Sequence, residues 1–309
     1  MTKKEPGINI KAAISEIQSD INTIENDTSL YEEKNFDKRM EAIDFIEFQI
    51  IDQIEILLQK TDQPDELILL KDRVEKVKSE LEEIDTNLFN RLRSNIRTVA
   101  YTGTEFKDLI NEYVDSGDSE HLEEAGYDNL DIFINGLSPL QTMPEQTKDL
   151  DAEMVFYQKT PARIVFELAE KVHFAKDDVF FDLGSGLGHV GILVNLLTGI
   201  TTKGVEFEPA FCDHARACAA DLNLSDVTFI NADAREADYS EGTVFFMYTP
   251  FKGEMLQEVL DILKIESQLR KIKIITYGPC TAQVALQNWL ESASPKDDNI
   301  YKLAVFTSL

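Results

Sequence analysis

Positive charge is scarce in this sequence. Thirty lysines and arginines stand against 57 aspartates and glutamates, a net charge of −27 over 309 residues. The excess is −18 in residues 1–150 and −9 in residues 151–309. Such a chain repels phosphate backbones at long range. A nucleic-acid substrate is therefore disfavoured, and a basic protein or cationic peptide suits the field better. Cysteine is almost missing too. Cys212, Cys218 and Cys280 form no CxxC pair, which argues against a disulfide scaffold or a zinc site and for a reducing, cytoplasmic setting. His121, His173 and His214 have no metal-ligand spacing, so no metal is expected. Long apolar runs are also lacking. No window approaches the roughly 18 residues of a membrane span, and Met1 to Asn9 lacks the apolar stretch of a signal peptide. No membrane partner is expected.

What the chain does have is apolar residues in two distinct rhythms. Ile10, Ile14, Ile17, Ile21 and Ile24 recur by fours and threes, which keeps one stripe on a helix. Phe36, Met40, Ile43, Ile46, Ile50, Ile54 and Leu57 continue the rhythm up to a turn signal at Thr61-Asp62-Gln63-Pro64. Leu67, Leu70, Val74, Val77, Leu81, Ile84 and Leu88 form a third run, with mostly Glu, Asp and Lys between them. The pattern predicts an all-α domain over residues 1–114, an antiparallel bundle with a further short helix within Tyr101–Val114. A coiled-coil arm that self-associates is the alternative.

Residues 115–150 break the composition. Asp115-Ser116-Gly117-Asp118-Ser119, Gly136-Leu137-Ser138-Pro139 and Met143-Pro144 punctuate them, and Leu130 to Leu137 suggest one packed helical piece. This segment is read as a connection that packs on the next domain, 151–309. There the rhythm changes to short β-branched and aromatic runs alternating with helical ones. Strands are expected at Val179–Leu183, Thr202–Glu206, Val227–Asn231, Val244–Tyr248, Lys273–Tyr277 and Tyr301–Thr307. Helices are expected at Leu187–Leu197, Pro209–Leu222, Glu254–Lys264 and Thr281–Leu290, with at best a short strand near Leu290. Strand–helix alternation of this kind gives an α/β, doubly wound, mostly parallel, Rossmann-like sheet.

In such a sheet a ligand sits beyond the carboxyl ends of the strands. The first strand runs into Asp182-Leu183-Gly184-Ser185-Gly186-Leu187-Gly188-His189. Glycines let the chain turn sharply and let a ligand approach without a Cβ in the way. Gly186-x-Gly188-x-x-Gly191 also satisfies the dinucleotide pattern, a weak signal alone. Asp182 decides between the two. An acid in the pocket floor suits a ligand with an ammonium group, such as S-adenosylmethionine, and suits a pyrophosphate poorly. The second strand ends Glu206-Phe207, where a carboxylate can accept both hydroxyls of a ribose and a ring can flank adenine. The third ends Asn231-Ala232-Asp233-Ala234, with Asp233 placed to accept from an adenine amino group.

These motifs resemble class I S-adenosylmethionine-dependent methyltransferases. Asp182 to Val190 is similar to the DLGSGxGxV form of the disruptor-of-telomeric-silencing family, the histone lysine methyltransferases built on this fold. The resemblance covers roughly residues 125–309. It implies a methyltransferase that uses S-adenosylmethionine, with Tyr157 and Thr160 in the family's tyrosine-containing cofactor loop. Gly184, Ser185, Gly186, Gly188 and His189 would form the glycine loop, and Glu206, Phe207, Asp233 and Ala234 the adenosine side. The chain departs from the pattern at the fourth strand. Tyr248-Thr249-Pro250-Phe251 stands where amino-group methylases often have (N/D)PP(Y/F). Tyr248 is the first candidate to orient the acceptor and Tyr157 the second, and Tyr248 is expected to border the cofactor as well. Tyr277-Gly278-Pro279-Cys280 could form a further wall. The acceptor, a protein or a small molecule, is left open. Two other readings stand beside this one: a nicotinamide-dependent oxidoreductase, and a non-catalytic scaffold whose helices bind a partner.

Overall fold

The structure is a computed structural model that describes residues 9–98, 101–116, 126–140, 142–293 and 299–309. His121 and most of the Asp115–Ser119 punctuation lie outside the described residues. Contacts divide the chain into two compact units. The first is Met1–Arg91 with Glu112–Val114, and the second is Leu92–Asn111 with Asp115–Leu309. The division falls inside a helix at Arg91, whereas the composition suggests a boundary after Val114. No helix of the described residues is long and apolar enough to cross a membrane.

In the first unit, helix α1 spans Ile10–Asn26 and starts where the Asn9 side chain accepts from Ala12 N. Its isoleucine stripe supplies the buried Ile17, Ile21 and Ile24. The second apolar run forms α2 (Phe36–Phe45), a π-helical turn (Ile46–Ile51) and α3 (Asp52–Leu58). The wider turn lets Ile46, Ile50, Ile51 and Ile54 all face inward. Helix α4 (Asp65–Thr98) adds Leu67, Leu70, Val74, Val77 and Leu81 to the same core. One ion pair is buried in this unit. Arg39 is fully buried; its Nε donates to Asp85 Oδ1 at 2.9 Å and its Nη1 to the carbonyls of Leu30 and Glu32.

The second unit opens with the last turns of α4, then α5 (Thr104–Asn111) and α6 (Asn129–Leu137). A capping box between Asp128 and Asp131 starts α6. Helix α7 (Ala162–Lys171) was not foreseen from the sequence; it buries Ala162, Ile164, Val165, Phe166 and Leu168. Then come β1 (Val179–Leu183), α8 (His189–Thr198), β2 (Thr201–Glu206), α9 (Pro209–Asp221), β3 (Val227–Asn231), β4 (Val244–Met247), α10 (Gly253–Ser267) and β5 (Lys273–Thr276). The chain closes with α11 (Cys280–Val284), β6 (Leu290–Ser292) and β7 (Ala304–Ser308). The described strands form one sheet in the order β3-β2-β1-β4-β5-β7-β6. The first five are parallel, and β7 runs antiparallel to both β5 and β6. Helix α11 is shorter than expected because the chain must turn to deliver β6, the short strand suspected near Leu290.

The parallel strands are apolar on both faces, as a sheet covered on both sides requires. Phe180, Phe181, Phe245, Phe246 and Ile274 are all buried. The chain order reverses between β1 and β4, which opens a crevice beyond their carboxyl ends. Asp182 lies there, paired in register with Gly204 of β2 and Phe246 of β4.

Candidate active site

A cavity of about 210 Å³, partly open to solvent, occupies this crevice. It is lined by the ends of β1, β2, β3 and β4 and by residues 146–160. The turn from β1 into α8 shapes one wall. Gly184 N and Ser185 N both donate to the Val205 carbonyl, which folds the loop back over β2. Gly186 adopts φ +52°, and a Cβ there would fall inside the ring of Tyr157. That glycine is what lets Tyr157 lie across the loop, where its ring also meets Phe211 edge-on at 5.6 Å.

The polar groups of the wall are strongly perturbed. Asp182 is 3% exposed. Burial, then the charge of Glu206, pushes its carboxyl up to about 8. Glu206 accepts from Gly186 N at 2.7 Å and Glu208 N at 2.8 Å. Burial raises its pKa against those bonds. Burial, then the nearby Lys159 charge, drops His189 to about 3, so the imidazole is neutral. Tyr157 is pushed up by burial and then by Tyr127, Asp182 and Glu206, so its phenol keeps its proton. Two buried atoms of the glycine loop, Ser185 Oγ and His189 Nε2, have no hydrogen-bond partner in the protein. Both atoms are sealed from solvent behind the cavity wall, with Ser185 Oγ turned toward Gly204 of β2, so neither faces the open space.

Beyond the glycine loop the wall becomes aromatic. Tyr248 and Tyr277 stand with ring centroids 4.9 Å apart, and Tyr301 meets Tyr277 at 6.1 Å. Burial first, then the neighbouring tyrosine Tyr248 and Glu167, raises Tyr277 to about 12; burial, then Tyr127 and Tyr301, lifts Tyr248 as well. Thr249 links their two loops. It has φ +44°, rare for a β-branched residue. Its Oγ donates to the Tyr277 carbonyl and accepts from Cys280 N.

The cavity thus gathers Tyr157, Thr160, Asp182, Gly184, Ser185, His189, Glu206, Phe207, Ala234 and Tyr248. Gly186 and Gly188 shape its loop from behind. Asp233 is not on the wall. Its carboxylate is taken by Arg235, which donates from its backbone N, Nε and Nη2 to the two oxygens. That bond holds Asp233 below the usual carboxylate range, and Ala232 and Ala234 line the cavity on either side of it. Sequence reasoning missed Gln146, Leu150, Phe211 and Tyr301, which join the wall from distant parts of the chain. It also missed Glu208, whose one local signal is its place before the helix-starting Pro209.

Residues 152–276 match the family model described as "Histone methylation protein DOT1". Among solved structures, the chain is similar to an RNA methyltransferase from Salinibacter ruber in complex with S-adenosyl-L-homocysteine. The two are 25% identical with a TM-score of 0.40, over 49% of this chain and 92% of that one. Precorrin-6y C5,15-methyltransferase from Geobacter metallireducens is 18% identical, with a TM-score of 0.38 over 50% and 92%. A SAM-dependent methyltransferase from Thiobacillus denitrificans, in complex with S-adenosyl-L-homocysteine, is 20% identical, with a TM-score of 0.33 over 40% and 51%. No curated protein matches. The second unit contains a class I methyltransferase domain, similar over residues 152–276 to the DOT1 histone-methylation family.

Proposed function

We propose that the domain methylates a nitrogen of a basic protein segment. The observation that supports this most is the uncharged wall of Tyr248 and Tyr301 next to the glycine loop, backed by the buried ring of Tyr277. Tyrosine faces attract a cation, so an ammonium group can be drawn in without a carboxylate that would bind it too tightly to react. The acidic groups on the wall are Asp182, Glu206 and Glu208, and each has another task. The excess of acid over the whole chain, −27, favours the approach of a basic partner. The name of the matched family, a histone methylation family, points the same way.

When bound, S-adenosylmethionine would supply a sulfonium-bound methyl group suited to in-line transfer. The residues have the simpler tasks of alignment and exclusion of water. In its ionised form Asp182 holds the amino group of the methionyl part. Glu206 keeps acceptor capacity on both oxygens for the ribose hydroxyls, and the Phe207 ring flanks the adenine. Tyr157 covers the glycine loop, and with Tyr248 it directs the acceptor. No lining group is a free general base, so the acceptor nitrogen has to lose its proton to solvent before it reacts.

Incubation with methyl-labelled S-adenosylmethionine and a panel of basic proteins, acidic proteins and small amines tests this. Label on side-chain nitrogens of basic proteins is expected. Label found only on neutral small molecules, by protein that binds the cofactor, would contradict it.

A further inference from the structure

Asp233 is committed to Arg235, so the adenosine end of the cavity needs another outer wall. Residues 142–150 provide one. Gln146 and Leu150 line the cavity, yet among the described residues no backbone–backbone hydrogen bond ties residues 142–150 to the rest of the chain. The segment is fastened instead at Glu208. Thr147 N and Lys148 N donate to Glu208 Oε2 at 2.9 and 2.8 Å, and Thr147 Oγ1 donates to Oε1 at 2.6 Å. The same carboxylate caps α9 by accepting from Ala210 N at 3.0 Å. It is 1% exposed. Burial would raise its pKa, but the bonds from Thr147, Ala210 and Lys148 outweigh it and hold the group at about 2. Once fastened, the segment sets Lys148 on Phe207. The ammonium donates to the Phe207 carbonyl at 3.2 Å and lies 4.3 Å from the ring centroid. The Phe207 ring lines the cavity.

We propose that Glu208 is a positioning residue for the methyl donor. By fastening Thr147 and Lys148 it closes residues 146–150 over the adenosine end and clamps Phe207 from outside. This inference rests on the site being an S-adenosylmethionine site. The latch does not titrate above pH 4, so it works constantly rather than as a pH switch.

Glu208→Gln separates latching from capping. One oxygen can still accept from Ala210 N, but the new amide faces the Thr147 and Lys148 N–H groups, donor against donor. Thr147→Val removes one latch bond and leaves the α9 cap untouched. The probes are S-adenosylmethionine and 5′-methylthioadenosine, which keeps the adenosine end alone. Stopped-flow binding of each ligand to the full chain, with melting of the ligand-free variants, gives the readout. Each variant is expected to release both ligands about tenfold faster with association near wild type, because charge-assisted bonds are lost; Thr147→Val is expected to melt near wild type, and Glu208→Gln lower, since two buried N–H groups lose their acceptor. The double variant is expected to be no worse than Glu208→Gln, since both act through one latch. If Glu208→Gln does not fold, Thr147→Val alone decides. Wild-type dissociation rates in a folded Thr147→Val variant would overturn the latch, as would a loss confined to S-adenosylmethionine. Failure of the wild-type chain to bind either ligand would overturn the underlying site assignment first.

Discussion

Asp182→Asn puts the site's electrostatics to a two-sided test. The carboxyl of Asp182 is 3% exposed and titrates at about 8, raised by burial and then by Glu206. In the unfolded chain it titrates near 4. The folded value is the higher one, so folding takes up a proton between about pH 4 and pH 8. The stability this group contributes is full below pH 4, falls as pH rises through that window, and is level above about pH 8. Four pKa units correspond to an upper bound on the order of 5 kcal/mol for an acid that pays this cost in full. Asparagine cannot ionise in either state and escapes the loss. The ligand-free variant should therefore gain on wild type as pH rises from 5.5 to 8. Even about 2 kcal/mol would move melting by roughly 4–8 °C in a domain of this size. Cofactor binding goes the other way. Losing a charged partner for the amino group weakens it by about 1.5–3 kcal/mol, or roughly 10- to 100-fold. Melting scans at the two pH values and calorimetric titration with S-adenosylmethionine measure both effects. A variant less stable than wild type at pH 8, or one that binds the cofactor as tightly, would refute this account of Asp182.

Other expectations concern the same unit and its neighbour. Because the cofactor's ammonium selects ionised Asp182, affinity is expected to rise by up to about tenfold per pH unit from pH 6 to 7.5, with proton release, and a flat profile in titrations would count against the contact. Glu206→Ala is expected to weaken cofactor binding by about 1–3 kcal/mol, and Asp233→Ala by clearly less, since Arg235 already occupies that carboxylate; equal losses in calorimetry would contradict the placement of Asp233. Tyr248→Phe should leave cofactor affinity near wild type and lower methyl transfer to the acceptor, and unchanged turnover would remove its hydroxyl from the mechanism. In the helical unit, Asp85→Ala strands the buried Arg39 guanidinium and is expected to cost about 3–5 kcal/mol in urea unfolding.

The sheet was legible because buried parallel strands are short unbroken apolar runs. Val179–Leu183 and Val244–Met247 allow no helical or alternating interpretation with one face exposed. The glycine loop and Glu206 were legible for a second reason: in this architecture the ligand-binding residues follow directly from the strand ends. Asp233 shows the limit of that rule. It sits at the expected strand end, but Arg235 lies two residues on and takes the carboxylate, a competition that position along the strand does not reveal. Glu208 was hidden because three of the four hydrogen bonds to its carboxylate come from Thr147 and Lys148, some sixty residues away. Helix α7 is only ten residues long and buries Ile164, Val165 and Phe166 in succession, so no long one-sided stripe sets it apart. The π-turn at Ile46–Ile51 leaves the apolar spacing almost helical, so the sequence shows a continuous helix where the backbone is widened.

The central claim is the identity of the cofactor. Calorimetric titration of the purified chain with S-adenosylmethionine, and separately with reduced nicotinamide dinucleotide, tests it most directly. The account predicts micromolar binding of one S-adenosylmethionine per chain and none of the dinucleotide. Binding of the dinucleotide alone, or of neither ligand by folded protein, would contradict it.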